Sequence, residues 1–319
     1  MPRKARIKPN DVGTFYHCMN RIVGEEGEYP FGDMEKNKFI QLIKEAARYF
    51  TVEVLSYQVM GNHWHIVCYA PAELLSPTEA AERFNEFYAG KKPVLKPEDP
   101  ECERVAAYMR DISNFIGWIQ QCFTTWFNNT RVRRRRGTLW VGRFTSTILE
   151  RDSALWECLF YVEMNAVRAG IAQAPADYRF GSWGEWCSTG KHPFGDNLLR
   201  RLPEYEGSQA RDTDTLKNVR KRFRVDLARR SAADAGASPE EIEDAMAKAA
   251  RNPGFVVRID RRVRYWGAGV IIGSKQFVVD MAARRDGPER AEKRSLQRAK
   301  QNGQDVDLWS YRRLRNVAS

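Results

Sequence analysis

The chain has 319 residues and carries 52 Lys and Arg against 41 Asp and Glu, a formal net charge of +11 with a pI near 9.4. That excess points to a polyanionic partner and to strong salt dependence in binding it. Six scattered cysteines (Cys18, Cys68, Cys102, Cys122, Cys158 and Cys187) without a Cys-x-x-Cys pair argue against a zinc ribbon and a disulfide framework, and a basic, polar start with no long apolar run argues against a signal or a membrane span, so a reduced, cytoplasmic protein is expected.

In chain order, a strand is expected near residues 13–19, then a helix near 35–49 with Phe39, Ile40, Ile43 and Ala47 on one face. Strands follow near 52–60 and 63–69. Residues 70–100, with five prolines, read as a loop or insertion holding a short helix near 77–88. A long helix near 101–128 places Met109, Ile112, Ile116, Ile119 and Phe123 at helical spacing. After a strand at 145–149, residues 152–170 read as a helix with apolar positions Leu155, Leu159, Val162 and Ala166, capped by Asp152 or Ser153 and ended by Gly170. A split sheet with helices packed on it fits an α+β, ferredoxin-like sandwich. Texture turns polar around 188–212, which places a first domain at 1–190, a linker at 191–212 and a basic, mainly helical extension at 213–319. Within that extension a helix is expected over 213–230 and another opened by Ser238-Pro239-Glu240-Glu241. A strand near 255–263 and a terminal basic helix over 284–300 complete the expectation.

The most informative feature is a pair of histidines, His63 and His65, among only four in the chain. In a strand, residues two apart share a face, so both imidazoles project to one side and Trp64 to the other. Such a pair can share a cation, or be two ordinary strand histidines. Downstream, Tyr161 and Asn165 are four apart, which on a helix stacks a phenol and an amide oxygen on one face. The same spacing also describes a partly buried ring beside a solvated amide.

Taken in order, several motifs resemble the single-tyrosine HUH transposases, in particular the REP-associated tyrosine transposases of bacteria. They are Ala5-Arg6-Ile7 with Phe15-Tyr16-His17-Cys18-Met19-Asn20-Arg21, then Gly61-Asn62-His63-Trp64-His65-Ile66-Val67. Phe127-Asn128-Asn129 and Arg136-Gly137-Thr138-Leu139-Trp140-Val141-Gly142-Arg143-Phe144 follow, then residues 161–170, then Tyr178-Arg179-Phe180-Gly181-Ser182-Trp183. The likeness covers about residues 3 to 187. Gly61 and Ala166 stand where relatives usually carry Pro, and residues 70–100 are longer than in compact members.

The resemblance implies a ferredoxin-like fold, His63 and His65 as paired metal ligands, Asn165 as the third protein ligand and Tyr161 as the nucleophile of a 5′-phosphotyrosine intermediate. Two nitrogens and an amide oxygen, with positions left for phosphate oxygens, suit Mg²⁺ or Mn²⁺. Glu157, one helical turn before Tyr161, is the better carboxylate for a supporting role; Glu163 is expected to point elsewhere. The implied partner is hairpin DNA flanked by single strand, bound by a monomer or homodimer with no membrane role. Arg3, Lys4 and Arg6 of the basic arm, the run Arg133, Arg134, Arg135 and Arg136, and Arg143 are candidates for phosphate contact. Trp64, Trp140 and Phe144 are candidates for stacking unpaired bases, or for the core. Two other readings belong to different classes: a hairpin-DNA-binding regulator that keeps the fold without the chemistry, and an RNA-binding ferredoxin-like module, for which no RNA-recognition signature is present.

Overall fold

The computed structural model describes residues 6–24, 29–131, 136–151, 153–202, 216–234, 236–251, 270–288, 291, 296–301 and 304–311. It is a mixed α+β protein of two compact units, residues 1–54 with 59–146, and residues 55–58 with 147–319.

In the first unit, strand β1 (Thr14–Arg21) leads to helix α1 (Asp33–Tyr49), strands β2 (Glu53–Val59) and β3 (His63–Ala70), helices α2 (Pro77–Tyr88), α3 (Glu101–Arg110) and α4 (Ile112–Asn129), and the start of β4 (Thr145–Leu149). The strands lie in the order β2-β3-β1-β4. β1 and β3 pair antiparallel from Thr14 opposite Ala70 to Arg21 opposite His63. Their pleat sorts the side chains. Tyr16, Cys18, Trp64, Ile66 and Cys68 share one face, and His17, Met19, Arg21, His63, His65 and Val67 share the other. The first face meets the helices: Trp64 stacks on Phe39 of α1 at 5.5 Å, and Phe39 meets Phe123 of α4 edge-on at 5.1 Å. Phe115, Ile116, Ile119, Phe123 and Phe127 of α4 are all buried, the stripe that the helical spacing predicts.

The helix expected over 101–128 is two helices. The chain breaks at Asp111, which adopts extended backbone and accepts hydrogen bonds from the N–H groups of Ser113 and Asn114 at 2.7 and 3.0 Å. Aspartate competes with the backbone inside a helix and caps one well at its start. The apolar period runs through the break because both helices turn the same side inward.

The second unit holds the rest of β4, then α5 (Ser153–Glu163), α6 (Asn165–Arg168), a 3-10 turn at Pro175–Asp177, α7 (Ser182–Thr189), α8 (Gly195–Arg201), α9 (Leu216–Asp234), α10 (Pro239–Arg251), β5 (Ile271–Gly273), α11 (Lys275–Asp286), β6 (Gln297–Gln301) and β7 (Gln304–Ser310). Its strands follow the order β4-β5-β7-β6. β4 and β5 run parallel, while β7 is antiparallel to both β5 and β6. The middle of β2 belongs here through a bridge between Gln58 and Gly181. Phe223 of α9 lies between Phe160 and Trp183, at 4.1 and 4.2 Å between centroids.

Among its described residues the C-terminal part is mainly helical, with three strands set beyond β4. Other expectations for it change. The basic helix expected over 284–300 is broken at Gly287, φ +82°, after α11 ends at Asp286; Pro288 and Ala291 are again helical, and residues 297–301 form a strand. The stretch read as a linker contains α8. The strand expected near 255–263 lies outside the described residues.

Candidate functional site

The turn before β3 is built by backbone. Met60 N–H donates to the His63 carbonyl, Phe31 N–H to the Gly61 carbonyl and Ile22 N–H to the Asn62 carbonyl, at 2.8 to 2.9 Å. A side chain at Gly61 would come within 2.9 Å of the Tyr29 ring, so glycine fits under that ring. This turn delivers His63 and His65 onto one face of β3, as their spacing predicts. His65 is buried at 1 % exposure and His63 is half-buried.

Each Nδ1 atom of the pair is held. That of His63 lies 2.7 Å from Asn62 Oδ1, and that of His65 lies 2.9 Å from Nε2 of His17, itself buried. When Nδ1 carries the proton in such a bond, Nε2 is the nitrogen with a lone pair to offer a metal. The two rings stand 5.1 Å apart between centroids at 89°. A cation about 2.1 Å from a nitrogen of each ring, in the ring planes, sets the centroids roughly 4.6 to 5.3 Å apart for angles of about 90 to 109° at the metal. The observed centroid spacing lies within that range. Among the described residues, no group of three or more His, Cys, Asp or Glu side chains is placed to hold one, so the remaining ligands would be amide, water or substrate oxygens.

Two neighbours on this face belong to a motif named from sequence but were given no role there. His17 backs His65, and exposed Arg21 stands directly opposite His63. The alternation His17-Met19-Arg21 in β1 was the available signal, but pairing with β3 is what gives it meaning.

Trp64, Trp140 and Phe144 are core residues, between 0 and 8 % exposed. Trp140 donates its indole N–H to Thr124 Oγ1 at 2.9 Å. None of the three presents a face to a base. Arg6 is likewise committed to the protein: its guanidinium donates to Ser146 Oγ, Ser113 Oγ and the Phe144 carbonyl, and lies 3.5 Å over the Phe144 ring. Burial lowers its pKa from the usual arginine value. Arg136 and Arg143 are exposed. Arg3, Lys4, Arg133, Arg134 and Arg135 lie outside the described residues.

In the second unit, Tyr161 sits in the last turn of α5 and Asn165 opens α6. The single helix expected over 152–170 is interrupted at Met164, with φ −83° and ψ −2°. Gly170, at φ +69°, ends α6. Its N–H donates to the Val167 carbonyl, and Ile171 N–H to that of Ala166, the two bonds of a Schellman turn. Arg168 comes back over Tyr161: its guanidinium carbon lies 4.7 Å from the ring centroid, and Nη1 is 3.5 Å from the Tyr161 carbonyl.

The two glutamates of α5 have distinct surroundings. Glu157 is bound by both Nη atoms of Arg230 of α9. Arg230 also covers the Phe160 ring, with 4.5 Å from guanidinium carbon to centroid. Glu163 points away from Tyr161, as expected. Its Oε1 accepts from Ser56 Oγ at 2.8 Å and Ser182 Oγ at 2.5 Å, and its Oε2 from Trp183 N–H at 3.2 Å. Burial nonetheless pushes its pKa up to about 7. Beside it lies a cavity of about 20 Å³ walled by Trp156, Trp183, Trp186 and Phe223, room for a single water.

No protein-family model matches the chain, and no curated protein does. A solved structure described as a REP-associated tyrosine transposase bound to a REP hairpin is similar over 67 % of this chain and 98 % of its own, at 13 % identity and a TM-score of 0.39.

Proposed function

We propose that this protein is a divalent-metal-dependent enzyme that cuts and rejoins single-stranded DNA beside hairpins through a 5′-phosphotyrosine intermediate. The observation that carries the proposal is the pair His63 and His65, buried to different degrees on one strand face, each held at Nδ1, with ring spacing that suits one shared cation. The ordered motifs described above support it from the sequence side.

In this reading His63, His65 and Asn165 would hold Mg²⁺ or Mn²⁺, which when bound would supply a Lewis acid to polarise and orient the scissile phosphate. Tyr161 supplies the phenol oxygen that attacks phosphorus. A bond forms between that oxygen and phosphorus, the bond from phosphorus to the 3′-oxygen breaks, and the phenol proton ends on the released 3′-hydroxyl. The 5′-phosphate stays on Tyr161, so a different 3′-hydroxyl can reverse the exchange without a nucleotide cofactor. Arg21, opposite His63, offers a cation to a phosphate oxygen. Exposed Arg136 and Arg143 contribute to holding the DNA backbone.

The test is a denaturing gel with end-labelled, single-stranded hairpin DNA taken from beside the protein's own gene and Mn²⁺ present. Wild-type protein should form a covalent adduct that chelator abolishes. Tyr161→Phe should form none while binding the hairpin within about threefold of wild type, since only the nucleophile's oxygen is lost. Tight hairpin binding by the wild type with neither adduct nor cleavage, in Mg²⁺ or Mn²⁺, would make the protein a non-catalytic hairpin binder.

A further inference from the structure

Resting on the metal-site reading above, we infer that His17 is a positioning residue that selects the metal-binding tautomer of His65 by accepting the Nδ1 proton of that ring at its own Nε2.

The geometry leaves few alternatives. The two nitrogens are 2.9 Å apart, the rings are nearly parallel at 15°, and both residues are 1 % exposed. One of the two nitrogens must carry the shared proton, because two lone pairs at that distance repel. If His17 donates, His65 keeps its own proton on Nε2 and has no lone pair for a cation. If His65 donates, its Nε2 is the basic nitrogen and joins His63 in a two-nitrogen site. Only the second arrangement lets the histidine pair work as one site.

The bond pattern at His63 agrees with it. There Nδ1 meets Asn62 Oδ1 at 2.7 Å, and a carbonyl oxygen can only accept. Both rings are then held as the Nδ1-protonated form, one by an amide and one by an imidazole. Metal-bound histidines ordinarily spend their second nitrogen on an acceptor of this kind, which fixes ring orientation as well as tautomer. His17 is placed for the task by register: it lies across from Val67, one diagonal step from His65 on the same face. A ring held from two strands cannot rotate about its own side-chain torsions without breaking that bond.

The experiment measures the tautomer first. Nitrogen-15 spectra of histidine-labelled, metal-free, full-length protein should show His65 protonated on Nδ1 and unprotonated on Nε2. Protonation of His65 on Nε2, or on both nitrogens, at neutral pH overturns the inference, and this readout requires neither metal nor DNA. Titration with Mn²⁺ alone, followed by electron paramagnetic resonance, then tests the consequence. His17→Leu, which removes the acceptor, should weaken Mn²⁺ binding about ten- to a hundredfold. His17→Gln should restore most of it, because an amide oxygen can accept the same proton. Mn²⁺ affinity in a folded His17→Leu protein within threefold of wild type counts against the role. If wild type and His65→Ala bind Mn²⁺ equally poorly, the metal-site reading itself fails, while the nitrogen spectra still decide the pairing of His17 with His65.

Discussion

Glu163 accepts three hydrogen bonds and is still protonated far more readily than a surface carboxylate. Burial dominates: the donors at Ser182, Ser56 and Trp183 pull its pKa down, and loss of water raises it further than they can offset, to about 7 from a usual 4.5. The sign follows. The folded state holds the proton more tightly than the unfolded chain, so this contribution to stability is complete below pH 4.5 and is lost as pH rises through 7. Between pH 5 and pH 8 the loss amounts to roughly 2 to 3 kcal/mol. Glu163→Gln, which stays neutral at every pH, should remove that slope, so urea unfolding of the two proteins should run close together at low pH and diverge as pH rises through 7, the wild type losing stability relative to the variant. Equal pH dependence in both would mean that Glu163 is ionised in the folded protein. Buried His192, held down to about 4 by loss of water, is common to both and cancels from the difference. None of this was readable from sequence. Glu163 and Ser56 are 107 residues apart, and only the fold brings a carboxyl and two hydroxyls together in a dry place.

At the scale of elements, caps decide where helices stop and start. Asp111 separates α3 from α4 while closing an ion pair with Lys8. Burial opposes its ionised form, but Lys8 and the N–H groups of Asn114 and Ser113 outweigh that and hold its pKa below the usual value. Asp111→Ala should cost about 1 to 2 kcal/mol, the worth of a good N-cap. Asp111→Asn keeps a capping oxygen and should cost less than about 1 kcal/mol, since the pairing with Lys8 that it removes is partly solvated. Urea denaturation of the two variants measures the difference; equal losses would place the energy in the ion pair and not in the cap. Periodicity over 101–128 runs straight through this residue because a cap between two helices of matching phase does not disturb the apolar count. The break at Met164, which stays in helical φ and ψ, also leaves no mark on the pattern. Gly170, by contrast, is legible as a stop, since a residue just past an apolar period with no Cβ is the usual way to reach positive φ.

For the whole molecule the relevant quantity is the net charge of +11. If phosphate neutralisation drives binding, affinity for a hairpin with single-stranded flanks should fall at least tenfold between about 50 and 200 mM salt. Fluorescence anisotropy across that range gives the slope. Arg136→Gln with Arg143→Gln should weaken binding and flatten the slope by about one for each phosphate that is no longer neutralised. An unchanged slope would move the DNA-binding surface elsewhere, with Arg21 as the next residue to vary. Arg6, counted with the basic arm from sequence, is expected to behave differently. Its guanidinium is spent on Ser146, Ser113 and Phe144, so its removal should lower stability before it lowers salt sensitivity.

What the sequence determined by itself is local. The opposite facing of His63 and Trp64 follows from a period of two, the core face of α1 from a period near 3.6, and the start of α10 at Ser238 from a side chain reaching three residues along the chain. These depend on neighbours within about one turn, and that information is present in any window of the chain. What tertiary structure alone decided is which distant group meets which. It gave His65 the imidazole of His17, sent Glu157 to Arg230, buried the aromatic residues that looked suited to stacking bases, and set β5, β7 and β6 beside β4 within an extension expected to be mainly helical. Such pairings depend on strand register and helix docking across many tens of residues, where the free energy is set by burial and by satisfying polar groups away from water.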